Sequence, residues 1–299
     1  DLRLAAALIR SLPPKAHLLL VGDADQLPSV GSGNVLKDLI ECQLFQVTRL
    51  AVTFRQSENS GIVGLAHGIL GGKGSPPPPV DSPSEINPQH DVHFVRAETP
   101  EKCVTVVTKL SKDILPEKFS IDPKNDLQIL APLHRGIGGI GNLNDQLRDT
   151  LNPTGATQVM GSLLFREGDK VIQTRNNYDK DVFNGDMGII EAVDTLNGKV
   201  DIDFEGKKVS YQRMEITDLQ PAYAISVHKS QGSEYPVVIF PLLKQHFMML
   251  QRNLVYTGLT RAKKKVVFVG DPAAYAMAIR NDKTLVRQTD LVRKLLNIP

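Results

Sequence analysis

Two kinds of hydrophobic pattern alternate along most of this chain. Apolar residues recur at helical spacing in some segments, and short apolar runs lie between those segments. The helical segments are residues 2–11, 32–41, 59–70, 99–114, 142–150 and 249–259, followed by a terminal helix. The apolar runs are residues 17–21, 92–95, 127–131, 237–240 and 265–269. Buried strands that alternate with helices predict an α/β fold built on parallel sheets.

The pattern changes between residues 162 and 220. Short apolar runs separated by turns occur at residues 171–174, 188–193, 200–204 and 208–211. The dipeptides Asn184-Gly185 and Asn197-Gly198 are typical of β-hairpin turns, because both residue types accept a positive φ. These features predict a small SH3-like β-barrel inserted into the α/β domain.

Residues 72–90 are rich in Gly, Pro and Ser and include four consecutive prolines. A segment of this composition is expected to form a semi-rigid linker rather than a packed core. We therefore predict a first domain at 1–71, a linker at 72–90, a second domain at 91–161 and 221–299, and its insert at 162–220.

The composition is that of an ordinary globular protein, with 41% hydrophobic and 23% charged residues. The net charge is only +2, so any nucleic-acid partner must be held by local patches. Cys42 and Cys103 match no metal-site spacing, and a reducing cytoplasmic compartment is expected. No apolar run approaches the roughly 18 residues of a membrane span. The chain starts with neither Met nor a signal pattern, and we expect it to be a fragment.

One glycine-rich segment, residues 68–75, superficially resembles a nucleotide phosphate loop. The position five before Gly72 is His67, and Ser75 is followed by prolines instead of a helix. The spacing that lets such a loop surround phosphates is therefore absent.

A second glycine-rich segment, Gly136-Ile137-Gly138-Gly139-Ile140-Gly141, satisfies the G-x-G-x-x-G spacing. A dinucleotide site also needs an acidic residue about 20 positions further on, where this chain has Gly161. Backbone amides at the start of helix 142–150 suit a phosphate anion. A tight strand-to-helix turn explains the glycines equally well.

Polar residues follow the apolar run 17–21 in the loop that ends at Pro28. At the carboxyl end of a strand, Asp23, Asp25 and Gln26 suit the orientation of a water near a γ-phosphate. The alternative is that they are turn and capping residues. Arg55 suits phosphate oxygens on which charge develops, although a surface salt bridge is the simpler interpretation of it alone.

The last third of the chain carries further groups that suit phosphates. His228 and Lys229 offer donors, and Gly232 after Gln231 permits a close backbone approach. Arg261 lies at a predicted helix end and would be a second phosphate arginine. A single His-Lys pair is too weak a signal by itself, and the run Lys263-Lys264-Lys265 alone would be a solvated positive segment.

The order of the segments is more specific than any one of them. Five segments resemble, in order, motifs III, IV, IVa, V and VI of superfamily 1B helicases of the RecD/TraA type: GDADQLPSVG, TFRQ, APLHRGIGGIGNLNDQL, AISVHKSQGSEY and VYTGLTRAKKKV. The segments around 168–171 and 182–188 resemble the SH3-like subdomain of that family. The resemblance covers nearly the whole chain.

The resemblance implies two RecA-like domains that sandwich ATP and Mg²⁺, with single-stranded DNA across both and movement from 5′ to 3′. The implied catalytic residues are Gln26, Arg55 and Arg261, the two arginines stabilising charge on the transferred phosphoryl group. The implied nucleotide contacts are Asp23, Gln231, Gly232 and Glu234. The implied DNA contacts are Ser226, His228, Lys229, Thr257, Gly136, Gly138 and Asn142.

The chain departs from the family pattern at one point. It contains neither the phosphate loop with its lysine nor the acidic pair that holds Mg²⁺, so we expect no ATPase from this chain alone. A non-catalytic single-stranded-DNA-binding module with the helicase fold is the alternative function. A dinucleotide-dependent enzyme, suggested only by residues 136–141, is a third.

Overall fold

The structure is a computed structural model that describes residues 1–50, 60–160, 163–282 and 289–296. The described helices are α1 (Leu2–Ser11), α2 (Val35–Glu41), α3 (Gly61–Leu70), α4 (Pro100–Lys109), α5 (Leu115–Phe119), α6 (Ile140–Leu151), α7 (Arg252–Leu259), α8 (Pro272–Arg280) and α9 (Leu291–Leu296). The described strands are β1 (Val92–Arg96), β2 (Leu127–Ala131), β3 (Thr157–Met160), β4 (Leu163–Arg166), β5 (Lys170–Gln173), β6 (Met187–Asp194), β7 (Lys199–Phe204), β8 (Lys207–Tyr211), β9 (Leu219–Pro221), β10 (Ala224–Ser226), β11 (Tyr235–Leu242) and β12 (Ala262–Gly270). None of the described helices is long and apolar enough to span a membrane.

The predicted parallel sheet is confirmed, with strand order β1-β12-β11-β2-β10 and every pairing parallel. Its strands are continuous apolar runs because helices cover both faces of the sheet. Alternate residues of β11 show this directly. Val238 and Phe240 belong to the core shared with α3, α7 and α8, whereas Val237 and Ile239 belong to the core shared with α4 and α6.

The predicted insert is confirmed as an antiparallel sheet of order β8-β7-β6-β5-β9 with a core of its own. The turn between β6 and β7 contains Gly198 at φ +65°, as the Asn-Gly dipeptide predicted. The other predicted turn differs. Gly185 closes a longer loop between β5 and β6, because Asn177 and Val182 form a bridge inside it. The β3–β4 hairpin was not predicted from the sequence.

A buried carboxylate joins the insert to the parallel-sheet domain. Asp169 is 1% exposed and accepts hydrogen bonds from Asn152 Nδ2 at 2.8 Å, the Tyr223 hydroxyl at 3.0 Å and the Arg166 amide at 2.8 Å. Asn152 follows α6, and Tyr223 lies between β9 and β10. Because three donors satisfy this carboxylate, the insert has a defined junction with the domain.

The predicted strand at residues 17–21 is wrong. The run is irregular, with Leu19 84% exposed and Val21 86% exposed. A strand needs a neighbour for its backbone N–H and C=O groups, and in the described residues no strand pairs with this run. The apolar pattern alone does not supply that neighbour.

The Pro-rich stretch is more ordered than its composition predicted. Val80 donates its amide to Phe94 O and accepts from the Arg96 amide, both at 2.9 Å, so it lies along β1. Ile86 is buried at 1% exposure and follows a short 3₁₀ turn, Pro83–Glu85. The proline segment therefore packs on the second domain while forming no long element.

Helix α3 precedes the predicted linker and packs against the same sheet. Its residues Ile62, Ala66 and Ile69 belong to the core shared with α7 and β11. The Ser60 hydroxyl, just before the helix, donates to Asp91 at 2.7 Å. The predicted domain boundaries stay a prediction.

Candidate functional site

The loop formed by residues 22–28, here called the Gln26 loop, contacts α7 through Asp23. One carboxylate oxygen, Oδ2, accepts hydrogen bonds from Gln26 Nε2 at 3.0 Å and from the Tyr256 hydroxyl at 3.1 Å. The other, Oδ1, accepts from the Asp25 amide at 3.0 Å. Asp23 thus connects the loop to a helix far away in the sequence.

The backbone of Leu27 provides two more connections. Its amide donates to Thr257 Oγ1 at 2.8 Å, and its carbonyl accepts from Gln231 Nε2 at 2.5 Å. The Thr257 hydroxyl also donates to Asn253 O at 2.7 Å. These buried bonds attach the Gln26 loop to both α7 and the segment that follows β10.

Arg261 lies immediately after α7, where the chain enters β12. It is 5% exposed, and its guanidinium donates to Thr257 O at 3.2 Å, Ser233 O at 3.1 Å and Thr260 Oγ1 at 3.3 Å. A buried guanidinium is tolerated when acceptors satisfy its N–H groups. The arginine is therefore held in one orientation beside the Ser233 turn.

The turn before β11 brings the other predicted nucleotide residues to the same edge of the sheet. Gly232 adopts φ +85°, and a Cβ built there would have nothing within 4 Å. Glu234 lies 4.0 Å from Lys263, and the Tyr235 amide donates to Arg261 O at 2.9 Å. The backbone of this turn is consequently open to a ligand at Gly232.

Of the residues predicted to face DNA, Ser226 and the Gly136–Asn142 loop lie at the opposite, carboxyl edge of the sheet. Ser226 ends β10 in register with Ala131, which ends β2. Ser226 is largely buried and its Oγ accepts from the Lys229 amide at 3.3 Å. Lys229 Nζ donates to Gln220 Oε1 at 3.1 Å, and burial lowers the pKa of this lysine. His228 is partly exposed between them.

The glycine loop at residues 136–141 is a tight strand-to-helix turn. The amides of Gly139, Ile140 and Gly141 donate to carbonyl groups of the same turn. Asn142 Nδ2 donates to Ile137 O at 2.7 Å. Three amides that a phosphate would need are thus already used, which favours the simpler of the two sequence interpretations.

The space around the first two glycines of that loop differs. Gly136 adopts φ +89° with open space around it. A Cβ at Gly138 would lie 2.9 Å from Leu243 Cδ1 and 3.2 Å from Gln245 Nε2. Packing therefore excludes a side chain at Gly138, whereas the backbone at Gly136 is accessible at the carboxyl edge of the sheet.

Three family models match the chain. The ATP-dependent RecD-like DNA helicase SH3 domain matches residues 143–204, the UvrD-like helicase C-terminal domain matches 221–269, and the AAA domain matches 1–80. The ATP-dependent RecD2 DNA helicase of Deinococcus radiodurans is 30% identical over 292 residues, covering 98% of this chain and 38% of that protein. The chain therefore carries a RecD-like helicase SH3 domain and matches a RecD-like helicase over 98% of its own length.

A second RecD-like relative supports the same assignment. The RecBCD enzyme subunit RecD of Mycolicibacterium smegmatis is 29% identical over 303 residues, covering 99% of this chain and 52% of that protein. The chain thus spans 38% and 52% of the lengths of these two relatives. A solved structure of Pif1 helicase from Bacteroides with ADP-AlF3 and ssDNA has a TM-score of 0.49 and 16% identity, covering 83% of this chain and 60% of that one. That likeness is too distant to bear on function.

The structure joins residues from several RecD-like motifs into one hydrogen-bonded region. Asp23 is hydrogen-bonded to Tyr256 of α7 and to Gln26 of its own loop. Gln231 donates to Leu27 of the same loop, and Arg261 donates to Thr257 of α7. The predicted arginine Arg55 lies outside the described residues.

Thr257 has a different place from the predicted one. Its side chain is 0% exposed, and its hydroxyl is already used by Leu27 and Asn253. A group in that position offers nothing to a DNA backbone. It instead links the Gln26 loop to α7, the helix that precedes Arg261.

Tyr256 is a site residue that the RecD-like sequence pattern did not single out. Its hydroxyl contacts Asp23, and its ring packs against the core around α7. Burial, together with the neighbouring Asp23 charge, raises the pKa of this phenol. The sequence signal was its position in the segment VYTGLTRAKKKV, directly before Thr257.

Proposed function

We propose that this chain is part of an ATP-dependent DNA helicase that moves 5′ to 3′ along single-stranded DNA. The observation that carries the proposal is the hydrogen-bonded path from Gln26 through Asp23 to α7, the helix that precedes the buried Arg261. A glutamine suited to orient a water and an arginine suited to a phosphoryl group thereby belong to one connected unit. The direction of movement rests on the family resemblance.

The nucleotide is proposed to bind at the edge of the sheet that carries Arg261. The fixed guanidinium would stabilise charge on the transferred phosphoryl group together with Arg55. Gly232 would let its backbone approach the nucleotide, because the space around it is open. The proposed nucleotide site also includes Gln231, Glu234 and Asp23.

The proposed Mg²⁺ has no fitting site among the residues that the structure describes. They contain no group of three or more His, Cys, Asp or Glu side chains placed to hold a metal ion. We therefore propose that its main ligands belong to a longer polypeptide, and we assign no catalytic step to it here.

Single-stranded DNA is proposed to cross the carboxyl edge of the sheet. Ser226 ends β10 beside the end of β2. His228 and Lys229 follow β10, and the loop with the open backbone of Gly136 and with Asn142 follows β2. Contacts of this kind reach phosphates and sugars, so binding should tolerate any sequence and weaken with salt. Cys42 and Cys103 are both free thiols, which supports the cytoplasmic compartment that we propose.

The test compares the whole protein that carries this chain with variants of it. We expect ATP hydrolysis that single-stranded DNA stimulates, and ATP-dependent unwinding of a duplex with a 5′ tail but not of one with a 3′ tail. Arg261→Lys should remove most of the hydrolysis, whereas Arg280→Ala, an exposed arginine on α8, is the matched control. Single-strand binding that ATP never affects would instead favour the non-catalytic binding module.

A further inference from the structure

The Gln26 carboxamide is held in one orientation by a shared acceptor. Its Nε2 donates to Asp23 Oδ2, the same oxygen that accepts from the Tyr256 hydroxyl. Because Nε2 is engaged with Asp23, the carboxamide oxygen Oε1 is directed away from it. An oxygen so placed is the acceptor that orienting a water O–H requires.

The carboxylate of Asp23 is itself fixed on both sides. Oδ1 accepts from the Asp25 amide within the loop, and Oδ2 accepts from Tyr256 outside it. Without Tyr256, only contacts within the Gln26 loop would define the carboxylate. Among the residues that the structure describes, the phenol therefore supplies the one side-chain hydrogen bond to Asp23 from beyond its own loop.

Tyr256 can do this because its own position is rigid. Its ring packs against the buried core, and the next residue of α7, Thr257, is bonded to Leu27 of the same loop. Two consecutive residues of one helix thus hold the loop at two points. Arg261 follows that helix, and its guanidinium donates back to Thr257 O.

We propose that Tyr256 is a positioning residue that orients the Gln26 carboxamide through Asp23. The inference rests on the proposed function, because it concerns the water or phosphate that Gln26 would address. A movement of α7 would then change the orientation of Gln26, since the helix and the loop share these contacts.

The experiment uses the whole protein and measures DNA-stimulated ATP hydrolysis. Tyr256→Phe keeps the ring and removes the hydroxyl; Tyr275→Phe is the matched control, because that buried hydroxyl has no hydrogen-bond partner in the described structure. We expect Tyr256→Phe to lower kcat about tenfold with little change in the KM for ATP, and Tyr275→Phe to keep the wild-type kcat.

A double-variant comparison separates positioning from a merely structural role. Gln26→Ala alone should lower kcat, and adding Tyr256→Phe to it should lower kcat no further, because the group that Tyr256 orients is gone. Should Tyr256→Phe fail to fold, Asp23→Asn replaces it in the same comparison and should show the same dependence on Gln26.

Two results would overturn the inference. One is wild-type kcat in the Tyr256→Phe protein, and the other is the same fold-loss in the presence and absence of Gln26. Both leave DNA-stimulated hydrolysis by the wild type intact. Absence of that hydrolysis in the wild type would instead contradict the proposed function, so the two failures are distinguishable.

Discussion

The Tyr256 hydroxyl lies 3.1 Å from Asp23 Oδ2, although 233 positions separate the two residues in the chain. Next to this contact, the Leu27 amide meets Thr257 Oγ1 across 230 positions. Neighbouring residues of one helix therefore contact one loop near the start of the chain.

The purified 299-residue chain should hydrolyse no measurable ATP, because its sequence contains no phosphate-positioning loop and the part that the structure describes contains no group of side chains placed to hold a metal ion. The measurement is phosphate release with and without Mg²⁺ and single-stranded DNA. Magnesium-dependent hydrolysis that Arg261→Ala abolishes would contradict this prediction.

Replacing Thr257 with Val should destabilise the chain by about 1–3 kcal/mol, since the buried Leu27 amide loses its acceptor. Urea unfolding reports this as a lower midpoint. Thr105→Val is the matched control, because Thr105 is an exposed helical threonine whose hydroxyl also bonds to a backbone carbonyl. Equal midpoints for the two variants would show that the Leu27–Thr257 bond contributes nothing.

Lys229→Ala should weaken binding of a labelled oligothymidylate to this chain and make it less salt-dependent. Removing one phosphate contact should reduce the slope of log Kd against log salt by about 0.7 for a single strand. Fluorescence anisotropy at several salt concentrations measures it. The exposed Lys112→Ala is the control, and an unchanged slope for Lys229→Ala would remove that lysine from the DNA path.

The free energy of unfolding should fall as the pH is lowered from 6.5 to 4. Burial is the main cause that lowers the pKa of His93 and of His246 from 6.5 to about 4. Between those values the unfolded chain binds protons that the folded chain does not, so each histidine contributes a slope of about 1.4 kcal/mol per pH unit. The contribution of these two histidines to the free energy of unfolding is therefore fully present above pH 6.5, where both are neutral, and it is lost as the pH falls toward 4.

A His246→Asn variant tests this assignment. Asn can still accept from the Leu243 amide, as His246 Nδ1 does at 3.2 Å, but it has no titrating ring. Denaturant unfolding at several pH values should show a shallower dependence for this variant, and the exposed His67→Gln should keep the wild-type dependence. An unchanged slope in His246→Asn would contradict the prediction.

The core of the second domain was predictable because its strands are buried on both faces. The apolar run 127–131 predicted β2 with its observed bounds, and the run 237–240 predicted the centre of β11. The same reasoning failed for residues 17–21, because an apolar run becomes a strand only where another strand can pair with it.

The candidate site was predictable in its residue types but not in its contacts. The motif order indicated Gln26, Gln231 and Arg261, whereas it placed Thr257 on the DNA side, and the structure buries that side chain. Tyr256 was not predictable as a site residue, because a tyrosine next to a helical core is usually a packing residue.

The sequence by itself determined the α/β class, the inserted antiparallel barrel and the RecD-like motif order, since periodicity and turn residues act locally. Only the tertiary structure decided that Asp23 meets Tyr256, that Leu27 meets Thr257 and that residues 17–21 are not a strand. The physical reason is that hydrogen-bond partners and strand neighbours come from distant parts of the chain. Local pattern fixes which groups need a partner, and folding decides which partner they find.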